Sequence, residues 1–169
     1  MEQIETSQKE TKKKFIDIYN HNKVKIISTF FIIIFAVVFL IILKLNNEKK
    51  NTLISEKYIK AIHHLASSET DKAKLLFEQI LTSGNKFYSI LSLNTVIEKN
   101  LIVDKDKVID YFNILENNIT LQEQKDLLIL KKALYLIQKQ DAQEGKDLLN
   151  ILIQNNSNLK SLAQEIVKK

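Results

Sequence analysis

The sequence predicts an all-α protein: a single N-terminal transmembrane helix followed by a degenerate array of helix pairs. Three observations carry this. Residues Ile26 to Leu43 form an apolar run interrupted only by Ser28 and Thr29. Beyond it, apolar residues recur at helical intervals to the end of the chain, with two glycines, no proline and no alternating strand pattern. Within that region three segments superimpose on one another at intervals of 35 and 37 residues.

Residues 1–23 read as a short polar tail. Acids and lysines alternate there around Phe15, Ile16, Ile18 and Tyr19, too few apolar residues for a core. The tail is either disordered or helical, with those four side chains in the lipid interface. Residues 24–45 read as the transmembrane helix. At ~1.5 Å of rise per residue, the run from Ile26 to Leu43 covers roughly 27 Å, close to the ~30 Å hydrocarbon core of a bilayer. Lys25 and Lys44 bracket it and can snorkel to the headgroups. A cleaved signal peptide has a shorter apolar region and a small-residue cleavage site, whereas KLNN follows Leu43 here. Six lysines (Lys9, Lys12, Lys13, Lys14, Lys23, Lys25) precede the span and five (Lys44, Lys49, Lys50, Lys57, Lys60) follow it. The positive-inside rule therefore favours a cytoplasmic N-terminus by a narrow margin.

Residues 46–52 read as a charged juxtamembrane connector, and residues 53–169 as one helical domain. The repeat is carried by KAKLLFEQIL from Lys72, KVIDYFNILE from Lys107 and EGKDLLNILI from Glu144. Ala73, Phe77 and Ile80 recur as Val108, Phe112 and Leu115, then as Gly145, Leu149 and Leu152. A period of this length marks helix-pair arrays. Polar steps precede these helices and are positioned to cap them: Thr70 or Asp71, Asp104, and Asp141 with Glu144 as a capping box. Thr120 with Glu123 has the same spacing, and Gly84 sits where a left-handed residue ends a helix. Partner helices are expected over Leu53–Ala66, Lys86–Lys99, Leu121–Lys139 and from Leu159 onward, giving seven after the anchor. Neighbours must stack, because no pair alone buries its apolar face.

Small residues twelve apart with an aromatic in the second helix resemble the tetratricopeptide repeat, in which small residues permit close helix crossing and an aromatic fills the gap between pairs. The signature positions are Ala61, Ala73 and Phe77, then Val96, Val108 and Phe112, then Ala133, Gly145 and Leu149. Lys57 stands where that pattern has an early Trp, and its closing Pro is missing throughout. The whole layout of lysine-rich head, anchor and degenerate array resembles the YfgM-type family, an ancillary subunit of the SecYEG translocon. The resemblance implies a single-pass protein of the bacterial inner membrane with a cytoplasmic N-terminus and a periplasmic domain. It also implies partners among translocon subunits, periplasmic chaperones and exported client polypeptides.

Arrays of this kind bind peptides along the first helices of their pairs, where Tyr58, Ile62, Leu93, Ile97, Leu130 and Leu134 would line an apolar groove. A shift of one residue in register puts some of these into the core instead. The net charge of +5, all lysine and spread along the chain, gives nucleic-acid binding little support. With no cysteine there is no disulfide framework and no thiolate metal site. Adjacent His63 and His64 diverge by about 100° on a helix and cannot share a metal without a third ligand from elsewhere. Asp104 and Asp106, and Glu116 near Asp110, read as caps and solvated faces rather than acid–base pairs. No phosphate loop or nucleophile elbow is present, so the expectation is a binding protein without cofactor or catalysis. Two other readings keep the architecture: a cytosol-facing, N-anchored receptor for targeting sequences, and a scaffold that spaces or oligomerises an envelope complex.

Overall fold

A computed structural model of the chain describes the backbone of residues 2–168 and the side chains of residues 22–25 and 27–168. Helix α1 spans Glu2–Ala66, α2 Thr70–Leu81, α3 Lys86–Glu98, α4 Lys105–Asn118, α5 Gln122–Gln138, α6 Ala142–Gln154 and α7 Lys160–Val167. No strand occurs among the described residues. The chain divides into two compact units, Met1–Lys50 and Asn51–Lys169.

Helix α1 runs without a break through four segments that differ in composition: the tail, the apolar span, the connector and the first array helix. Backbone 2–23 is helical, and so is the expected connector 46–52. Without Gly or Pro nothing there breaks the hydrogen-bond ladder, and Lys44 and Glu48 form an i,i+4 pair at 3.9 Å. The interfacial placement of Phe15, Ile16, Ile18 and Tyr19 lies outside the described side chains. Every described side chain from 27 to 43 is exposed. This helix is long and apolar enough to cross a membrane, and none of its most apolar stretch is buried by protein. Thr29, one of the two hydroxyls in the run, donates to the Lys25 carbonyl at 2.9 Å, so its polar hydrogen is satisfied within the helix.

The second unit is built in two layers, and polar cross-links define them. On one side Asn85 at the start of α3 donates to Asn51 of α1 at 2.8 Å, and Tyr88 Oη of α3 donates to Ser55 at 2.8 Å. Lys131 of α5 donates to Asn94 of α3 at 2.8 Å. On the other side Lys107 of α4 pairs with Glu78 of α2 at 2.7 Å, and Lys105 pairs with Asp141 at the start of α6. Odd helices thus neighbour odd, and even neighbour even. Apart from the Lys107–Glu78 pair, these links join residues separated by 33 to 37 positions, close to the spacing at which the segments repeat.

Two cores fill the space between the layers. The larger contains Ala61, Ala73, Phe77, Val96, Val108 and Phe112, and extends to Leu128 and Tyr135 of α5. The smaller holds Leu130 and Ala133 of α5, Leu149 and Leu152 of α6 and Ala163 of α7. All nine repeat-signature positions are buried. Two of the buried aromatics pack on tyrosines: Phe77 of α2 meets Tyr58 of α1 edge-on at 5.9 Å between centroids, and Phe112 of α4 meets Tyr135 of α5 at 6.0 Å.

Helix ends follow the sequence less closely. Asp104 caps α4, accepting from the amides of Asp106 at 3.0 Å and Lys107 at 3.2 Å. The other expected caps do not form. Glu69, not Thr70 or Asp71, is the N-cap of α2, Leu121 replaces Thr120 before α5, and neither side chain makes a capping bond. Asp141 does occupy the N-cap of α6, but its carboxylate is turned to Lys105 and no box with Glu144 closes. Asn85 caps α3 instead, accepting from Tyr88 N at 3.0 Å.

Gly84 has φ +77°, as its position past α2 requires. Four other helix ends place a residue with a side chain in the same left-handed region: Ser68, Asn100, Gln140 and Asn156. In each the following amide bonds back five residues, as in Asp141 N to Leu136 O at 3.0 Å, which completes a Schellman closure. A β-carbon in that conformation costs about 1–2 kcal/mol. Gln140→Gly is therefore expected to raise the stability of the domain by about 1 kcal/mol, read as a higher urea midpoint at unchanged slope.

Candidate functional site

The six residues expected to line a groove separate into two rows four residues apart. Leu93 and Leu130 are buried in the larger and smaller cores respectively, and Tyr58 is half-buried, its ring packed against Phe77 and Tyr88. These three belong to the interior. Ile62, Ile97 and Leu134, one turn further along α1, α3 and α5, reach the outer face of the odd-helix layer and line furrows there. The physical reason is the width of an amphipathic stripe: positions i and i+4 share a face, but only one side of it meets the even helices.

The furrow between α3 and α5 has a volume of about 240 Å³ and is walled by Asn94, Ile97, Glu98, Lys131, Leu134 and Tyr135, with Gln138 at its edge. It adjoins a second space of about 190 Å³ lined by Ile90, Gln124, Leu127, Leu128 and, again, Lys131. Between α1 and α3 a third lies along Ile62, Leu65, Thr95 and Glu98. The walls are mainly apolar and open to solvent, suited to side chains of a bound segment rather than to an enclosed small molecule.

Lys131, Asn94, Ile90 and Leu127 lie outside the six groove positions that the sequence points to, yet their signal is present in it. Ile90 and Leu127, Asn94 and Lys131, and Ile97 and Leu134 are each separated by 37 residues. Applying the repeat interval to this neighbouring stripe, rather than to Tyr58, Leu93 and Leu130, finds them.

Several titratable groups elsewhere are engaged in structure. His63 and His64 meet edge-on at 6.2 Å between rings, and His64 Nδ1 bonds the Glu69 carboxylate across the α1–α2 turn. The Lys72 ammonium at 2.9 Å, followed by His64, holds the Glu69 carboxyl below its ordinary value. Asp141 raises Lys105 and Glu78 raises Lys107, so both cations are tied to the fold. Asp106 is almost fully exposed beside the capping Asp104. Among the described residues no three His, Cys, Asp or Glu side chains gather in a metal-binding group.

Compared with protein-family profiles, with curated proteins and with solved structures, the chain matches none.

Proposed function

We propose that the chain is a membrane-anchored protein-interaction module: a tetratricopeptide-like array tethered by α1, which binds polypeptides along its odd helices and performs no chemistry. In this reading the domain faces the periplasm of a bacterial cell. It serves there as an accessory of the Sec translocon and its chaperones, contacting translocon subunits or exported clients. The observation that carries the binding role is the outer face of α1, α3 and α5. Ile62, Ile97 and Leu134 recur there at the repeat interval and line furrows open to solvent. The uncovered apolar stretch of α1 supports the tether, because seventeen consecutive exposed positions from 27 to 43 would be unfavourable in water. The resemblance of the layout to the YfgM-type family supports the choice of partner.

The chain has no cysteine, which permits a test on a single introduced thiol. Leu134→Cys, carrying a membrane-impermeant thiol-reactive crosslinker, is expected to react in intact spheroplasts and to yield adducts with translocon subunits or exported proteins. Reaction only after lysis would place the domain in the cytosol, as in the receptor that the near-balanced lysines also permit. Reaction without any polypeptide adduct would speak for a scaffold.

A further inference from the structure

Two tripeptides of the form Asn-x-Ser/Thr occur in the chain, Asn118–Ile119–Thr120 and Asn155–Asn156–Ser157, neither with a proline in the middle. In an exported domain such a tripeptide is an acceptor of N-linked glycosylation, and it belongs on the surface. The structure separates the two. Asn118 is the last residue of α4, and at Ile119 the backbone turns to an extended conformation with ψ 132° while the side chain enters the larger core. Asn118 and Thr120 on either side of it are exposed, and among the described residues neither side chain makes a hydrogen bond. In the second tripeptide Ser157 is buried, and its Oγ accepts from the Leu159 amide at 3.2 Å just before α7. The residues two places earlier differ as well. Glu116 precedes Asn118 and forms no ion pair among the described residues, whereas Ile153 precedes Asn155. An acid at that place gives a bacterial oligosaccharyltransferase a charge to pair with.

We propose that Asn118 is the acceptor of an N-linked oligosaccharide, attached while the domain is being exported and before it folds. This rests on the reading above, in which the domain faces the periplasm. The donor is an oligosaccharide carried on a polyprenyl diphosphate. Asn118 Nδ2 attacks C1 of the first sugar: the N–C1 bond forms, the C1–O bond to the diphosphate breaks, the diphosphate leaves with that electron pair, and the amide gives one proton to the transferase. Burial of Ile119 sets the order of events. With that side chain in the core the tripeptide cannot lie along an enzyme cleft, so transfer precedes the closing of α4 on α5. Asn118 walls neither furrow between α3 and α5, so a glycan on it leaves both open to a bound segment.

Intact mass and fragment spectra of the full chain, purified from its own membranes, give the test. The chain is expected to weigh one oligosaccharide more than its 169 residues, with the addition on Asn118. Asn118→Gln and Thr120→Val should each reduce the glycosylated fraction at least tenfold, whereas Thr120→Ser and Asn155→Gln should keep it. A bare polypeptide, a glycan on Asn155, or a glycan that survives Thr120→Val overturns the acceptor site. Labelling of Leu134→Cys by the impermeant reagent in the same spheroplasts tells which reading has failed. If the thiol reacts and the chain is bare, the acceptor site alone falls; if the thiol is also protected until lysis, the periplasmic domain falls with it. Should a variant be degraded, the fragment spectra of the unaltered chain decide the matter.

Discussion

Phe112→Ala is expected to destabilise the domain by about 3–5 kcal/mol, as large a loss as any single truncation in this fold. The ring is fully buried, sits on α4 against Tyr135 of α5, and belongs to the larger core that joins the first five helices. Removing it withdraws apolar surface from burial and leaves a void between helix pairs, which collapses only if α4 and α5 shift together. Urea unfolding of the full chain in detergent, followed by far-ultraviolet circular dichroism, gives the measurement. Leu75→Ala is the control, since Leu75 of α2 is a large apolar side chain more than half exposed, at 57%, and its loss should change stability by no more than about 0.5 kcal/mol. Similar losses for the two variants would mean that the aromatic does not fill the gap between pairs.

Gly145→Val should cost about 3 kcal/mol, through overpacking rather than a cavity. A β-carbon at Gly145 would lie 2.7 Å from the Ala133 carbonyl oxygen and 2.6 Å from Ile137 Cγ1. Ile137 can rotate away, but the carbonyl is backbone of α5, so α6 must move as a body. Gly145→Ala sharpens the test because two effects oppose each other. Helix propensity alone favours Ala over Gly by about 1 kcal/mol. The contact with α5 predicts a net loss of about 1–2 kcal/mol instead. A rise in the thermal midpoint of the Ala variant would refute the close crossing of α5 and α6.

The same positions show what was legible in the sequence. The nine signature residues repeating at 35 and 37 are all buried, so core positions are written at fixed spacing, and Ala61, Val96 and Ala133 can be read with their partners. The apolar run of α1 was equally plain, since its composition alone sets its length. Two things were harder. Periodicity gives the face of a helix but not its edge, so Leu93 and Ile97 looked equivalent although one is core and the other lines a furrow. Caps depend on competition that a local pattern does not contain: Asp141 has the spacing of a capping residue, but Lys105, thirty-six residues earlier, takes its carboxylate. Asn85 stands directly before Lys86 at an expected helix start, so its capping role is legible in the sequence. The continuity of α1 through 46–52 follows from the lack of any breaker there, since charge alone does not end a helix.

Helix α5 sends Leu128 and Tyr135 into one core and Leu130 and Ala133 into the other. It is a party wall between two rooms of unequal size. The hairpin of α6 and α7 can come away and leave the larger room closed, whereas no opening of α5 spares either. Amide protons beyond residue 142 should therefore exchange at a lower free energy than those of α3 and α4, and a ligand lying against α5 would fasten both rooms at once.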